Sequence, residues 1–183
     1  MKIANRLAAA MVLTLAPLTA AAGETPSAAP QTGAELAALI ECRGGLAAYN
    51  ALARELTGSN RSGALRRLGL KAARSPNPFL AEYRLAAPLT VFGRAASRIA
   101  FNSAGVFALL DEADPHPLAK ALGIAPEFDT PAKFMGEKLV REDEERLAGD
   151  DVTLTSRVTL NVSTVSSHPG TVLAGCGYRM EVE

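Results

Sequence analysis

Residues 152–165 read VTLTSRVTLNVSTV, residues 166–170 read SSHPG, and residues 171–183 read TVLAGCGYRMEVE. In the first block Val152, Leu154, Val158, Leu160 and Val162 are apolar, while Thr153, Thr155, Arg157, Thr159, Asn161 and Ser163 are polar. Successive side chains of a strand point to opposite faces, so this alternation describes a long strand with one face in a core. Ser166–Gly170 turns the chain. Beyond it Val172, Ala174, Cys176, Tyr178, Met180 and Val182 alternate with Thr171, Gly175, Gly177, Arg179 and Glu181. Cys176 therefore belongs to the apolar, core-facing set.

Only one other cysteine exists in the chain, Cys42. Thr32 and Glu35 stand three residues apart before an apolar run, the spacing of a capping box at a helix start. Leu39, Cys42, Leu46, Tyr49, Ala53 and Leu56 then follow at alternating steps of three and four, one helical stripe. Gly44 and Gly45 mark where this helix kinks or splits, and Gly58 is its stop. A helix stripe holding Cys42 and a strand face holding Cys176 are surfaces that meet in a core. A Cys42–Cys176 disulfide is the expected staple. Closing a loop of about 135 residues stabilises by roughly 5 kcal/mol in chain-entropy terms.

The N-terminus supplies the oxidising compartment that such a bond requires. Lys2 and Arg6 precede an apolar run from Leu7 to Leu18, and TAAAG follows. This order of charged, apolar and small residues is that of a secretory signal, with cleavage expected near Ala22. The run is shorter than the roughly 20 residues that span a bilayer, and no later stretch approaches that length. The alanine-rich composition suggests a bacterial host, so the expected location is periplasmic or secreted. The expected organisation is a signal peptide over 1–22, a flexible Pro/Ala/Ser/Thr leader over 23–33, and one domain over 34–183.

Between the first helix and the long strands lie shorter ones, Phe79–Leu85, Leu89–Gly93, Ser97–Asn102 and Val106–Asp111, separated by Pro88, Gly93 and NSAG. A short helix begins near Asp114, with Pro115 at its first position. Residues 134–147 carry helix-favouring Glu, Lys, Leu and Arg but no clean stripe, and Gly136 interrupts them. They read as a strand from Phe134 to Glu145, hairpinned through AGDD, with helix as the alternative. The fold class is α+β: an antiparallel sheet of about five to seven strands, with an N-terminal helix and a short second helix packed on one face.

Charge narrows function. Removing Lys2 and Arg6 with the signal leaves 17 basic against 19 acidic residues, about −2, which lacks the strong basic field of a nucleic-acid binder. His116 and His168 each precede a proline and belong to turns. A serine or aspartate lies near each, but no G-x-S-x-G elbow is present. No H-E-x-x-H or C-x-x-C suggests a metal, and no cofactor motif occurs. Arg61, Arg66, Arg67, Lys71 and Arg74 form a basic segment with no acid between Glu55 and Glu82. Those five are candidate contacts to an anionic partner. Export, one small stapled domain and no recognisable catalytic set point to a non-enzymatic binding protein of the envelope, of inhibitor, immunity or assembly type. Two other readings stay open: a periplasmic hydrolase using His116 or His168, and a structural protein associating with anionic surfaces through 61–74.

Overall fold

The computed structural model describes residues 33–146 and 152–182. The signal read at 1–22, the leader except Gly33, the capping residue Thr32 and the AGDD turn lie outside the described residues. Gly33, assigned above to the leader, is already helical.

The long N-terminal helix is two helices, α1 (Gly33–Ile40) and α2 (Leu46–Thr57). Cys42 lies beyond the end of α1, in the left-handed region at φ 59°. Behind it the Arg43 and Gly44 N–H groups both donate to the Ala38 carbonyl, at 2.8 and 3.0 Å, closing the helix end. A Cβ on Gly44 would come within 2.5 Å of Leu39 Cδ2, so the break is built around a missing side chain. The basic segment forms α3 (Arg61–Leu68), ended by Gly69 at φ 63°. The short helix α4 spans His116–Leu122; Pro115 precedes it, one position earlier than expected, and Gly123 at φ 66° ends it.

Eight strands make one antiparallel sheet in the order β1-β2-β3-β4-β8-β7-β6-β5. They are β1 (Leu70–Ala73), β2 (Ala81–Val91), β3 (Arg94–Asn102), β4 (Gly105–Leu110), β5 (Pro126–Thr130), β6 (Lys133–Arg146), β7 (Thr153–Thr164) and β8 (Val172–Val182). The sheet is thus two four-stranded meanders joined where β4 pairs with β8. Five to seven strands was too few. The two missed strands, β1 and β5, are the sheet's edges, four and five residues long. Edge strands are characteristically short and polar, which removes the periodicity a sequence reading depends on. The two segments read around Pro88 are a single strand, β2. Its ladder to β3 is irregular between Arg84 and Leu89, where proline can sit without a backbone donor. Residues 133–146 are strand throughout, and the helical alternative is discarded.

One face of this sheet carries the core. Val106, Ala108, Leu110, Val158, Leu160, Val162, Val172 and Ala174 pack there against Leu36, Leu39 and Ile40 of α1, Tyr49 and Leu52 of α2, and Leu118 of α4. The Cys42–Cys176 disulfide crosses the same interface with Cα atoms 5.2 Å apart. Beside it the Tyr178 hydroxyl donates to the Leu39 carbonyl at 2.8 Å, and Tyr49 stacks on Tyr178 with centroids 4.7 Å apart. Burial pushes the ionisation of the Tyr178 hydroxyl far up, so it stays a donor. The opposite, outer face holds a smaller apolar cluster of Ala100, Leu109 and Leu173, bordered by Leu80, Phe107 and Val165. The Phe107 ring lies over Gly175; a Cβ there would overlap the Val106 carbonyl and stand 2.6 Å from Phe107 Cα.

Two outcomes follow for stability. Cys42→Ser lowers the unfolding free energy by about 3–5 kcal/mol in denaturant titration, and the unfolded, unreduced protein shows no titratable thiol. Gly175→Ala, which no rotamer can relieve, costs about 2 kcal/mol or more by the same measurement.

A candidate functional site at the two histidines

His116 and His168 are far apart in the chain, yet the fold sets both on one cleft. The cleft holds about 490 Å³ and is lined by Asp114, His116, Thr130, Lys133, Phe134, Thr164, Ser166, His168, Gly170 and Thr171 among others. Three turns meet there: the start of α4, the β5–β6 turn and the β7–β8 turn.

His116 takes its place because Asp114 turns the chain into the start of α4. The Asp114 carboxylate accepts the His116 backbone N–H at 3.0 Å and lies 2.6 Å from its Nδ1. On the other side of the ring, Asp129 of β5 lies 3.1 Å from Nε2. The Phe134 ring stands edge-on to the imidazole, centroids 5.1 Å apart. The His116 side chain is 55% exposed. Its pKa is raised above the usual histidine value, first by the hydrogen bond to Asp114 and then by that to Asp129. The Asp114 carboxyl is correspondingly lowered, chiefly by the His116 backbone N–H.

His168 has the opposite environment. It and Glu82 are only 3% and 5% exposed at the side chain, with Nε2 2.7 Å from Glu82 Oε1. Its Nδ1 lies 2.9 Å from Ser167 Oγ, and Asn77 Nδ2 donates to that same hydroxyl at 3.4 Å. Glu82 sits on β2, on the outer face of the sheet, opposite Ala100. The His168–Glu82 pair therefore ties the β7–β8 turn across the sheet, and Asn77 adds the β1–β2 connection. A buried pair of this kind costs several kcal/mol to break from one side, since the remaining partner stays buried.

Asp129, Glu82 and Asn77 were not singled out in the sequence, because Asp129 and Glu82 reach their histidines, and Asn77 reaches Ser167, only through strand pairing and loop folding. Glu82 alone carried a signal, as an acid inside the apolar stretch Phe79–Leu85. The basic segment does not converge as a unit. The Arg61 guanidinium lies 5.9 Å over the Tyr83 ring, and Arg67 forms an ion pair with Glu55. Arg66, Lys71 and Arg74 are exposed and make no ion pair among the described residues. None of the five lines the cleft. Among the described residues no group of three His, Cys, Asp or Glu side chains is arranged to hold a metal ion, and no helix is long and apolar enough to cross a membrane.

Comparison with known proteins finds no matching family model, no matching curated protein and no matching solved structure. Function has to be read from the chemistry of the site.

Two measurements probe that chemistry. An NMR titration places the His116 pKa above 6.5, and either Asp114→Asn or Asp129→Asn brings it down. Because the folded pKa is raised, the stabilising contribution of His116 is fully present below the unfolded value and is lost as pH rises through the folded one. Glu82→Ala strands His168 in a buried site and lowers stability by about 3–5 kcal/mol.

Proposed function

We propose that the protein is an exported, non-enzymatic binding protein of the bacterial envelope, of inhibitor, immunity or assembly type, with the histidine cleft as its working surface. One observation carries this reading. All four ring nitrogens of His116 and His168 already face protein partners. No ring nitrogen is left to take a proton directly from a bound molecule, which supports a cleft shaped for recognition. The disulfide is compatible with an extracytoplasmic setting. It also keeps the scaffold beneath the three turns stiff, which favours recognition by a preformed surface.

The test is variant-dependent capture. Immobilised protein retains a partner from envelope extract, and Ser166→Arg or Lys133→Glu, both at the cleft, lose it while thermal unfolding is unchanged. Equal capture by the wild type and both variants would remove the cleft from the reading.

A second reading, hydrolysis, is favoured by the hydrogen-bonded order Ser167–His168–Glu82. With Nε2–H donating to the carboxylate, Nδ1 is free to accept the serine proton, the polarity a nucleophilic serine requires. Against it, Ser167 is not among the residues lining the cleft. Ester hydrolysis present in the wild type and abolished by Ser167→Ala would favour this reading over binding.

A further inference from the structure

The sheet register brings together cations that lie apart in sequence. Lys71 on β1 is directly opposite Arg84 on β2, and Arg84 is directly opposite Arg98 on β3. Arg98 is in turn opposite Leu109 of the outer cluster. Directly opposed residues share a face, so the three cations form one row on the outer face, away from α1 and α2. Like charges in this relation destabilise a sheet.

The other directly opposed arginines, Arg157 and Arg179, are offset by acids. Arg157 lies between Glu142 and Glu181, while Arg94 and Arg179 have Glu112 and Glu137. In the row only Arg98 has an acid, Asp111 at 2.7 Å. Lys71 and Arg84 are exposed and in no ion pair among the described residues. The nearest acid on this face of β2, Glu82, is buried against His168. Two adjacent cations left uncompensated, on a sheet where Arg94, Arg141, Arg157 and Arg179 each have an acid, call for a charge from outside.

We infer that this row is a second binding surface, one that seats on the phosphate head groups of an anionic lipid surface. Spread over three adjacent strands, it is about 10 Å long, too extended for one enclosed anion and suited to several phosphates in a plane. The exposed large apolar residues Phe79, Phe128, Leu139, Val140, Met180 and Val182 all lie outside it. A protein partner would need a buried apolar or aromatic anchor at the centre of the contact, and the row offers none.

The experiment is co-flotation of the folded, oxidised protein with vesicles of phosphatidylglycerol and phosphatidylcholine, against vesicles of phosphatidylcholine alone. Binding is expected only to the anionic vesicles and falls as salt is raised. The double variant Lys71→Gln/Arg84→Gln weakens it about 30-fold, at about fivefold per charge. Arg61→Gln/Arg67→Gln removes equal charge from already engaged arginines and leaves it within about threefold. Arg84→Lys retains it, and unchanged thermal unfolding shows that each variant is folded. Inorganic phosphate at matched ionic strength displaces no more protein than chloride does. The inference is overturned by any one of four results: no binding to anionic vesicles, indifference to salt, equal loss in the two double variants, or release by millimolar phosphate, which would mark a site for the free ion.

Discussion

The disulfide between Cys42 and Cys176 is the constraint on which the rest of the arrangement depends. Strand β8 lies inside the sheet, between β4 and β7, and with β4 forms the seam between the two meanders. Pinning the end of α1 to it fixes the helical layer to the seam of the sheet. Cys42 holds a left-handed backbone that a residue with a side chain adopts at some cost. The Tyr178–Leu39 hydrogen bond and the Tyr49–Tyr178 stack sit on the same few residues and hold the junction from both sides.

With one face closed by that layer, the chemistry moves to the margins and to the reverse face. The β7–β8 turn folds over the outer face because His168 needs Glu82, and the apolar trio Ala100, Leu109 and Leu173 gives the turn something to cover. The two histidines illustrate how environment separates identical side chains. His116, in water and between two carboxylates, gains affinity for a proton; His168, out of water, is a structural link between two loops and the sheet.

How much of this was legible depended on the range of the interactions. The alternation in 152–182 and the stripe from Leu39 to Leu56 are local signals, and they placed both cysteines correctly on core-facing positions. The stripe misplaced Cys42 by one detail: it lies past the helix end, because Gly44 leaves room only for a break. Strands β1 and β5 were illegible because an edge strand has little buried surface to impose a pattern. The cleft was half legible. Both histidines announced themselves beside prolines, but Asp129, Glu82 and Asn77 depend on contacts 13, 86 and 90 residues away in the chain. The cationic row was hidden for the same reason, since Lys71, Arg84 and Arg98 become neighbours only through register.

The joining of two meanders at β4 and β8 has a consequence for how the chain reaches this state. Within each meander every strand pairs with its sequence neighbour, so each half closes only short loops. The β4–β8 ladder is different, matching Gly105–Leu110 with Val172–Gly177, and the disulfide at Cys176 on this seam joins cysteines 134 residues apart. Non-local pairings of this kind are slow to form. A chain delivered N-terminus first therefore holds Cys42 as a waiting thiol while one half organises and the other is still arriving. Closure of the seam and oxidation of the cysteines become a single late event, and until it happens the exposed edges of β4 and β8 are open to pairing with another chain.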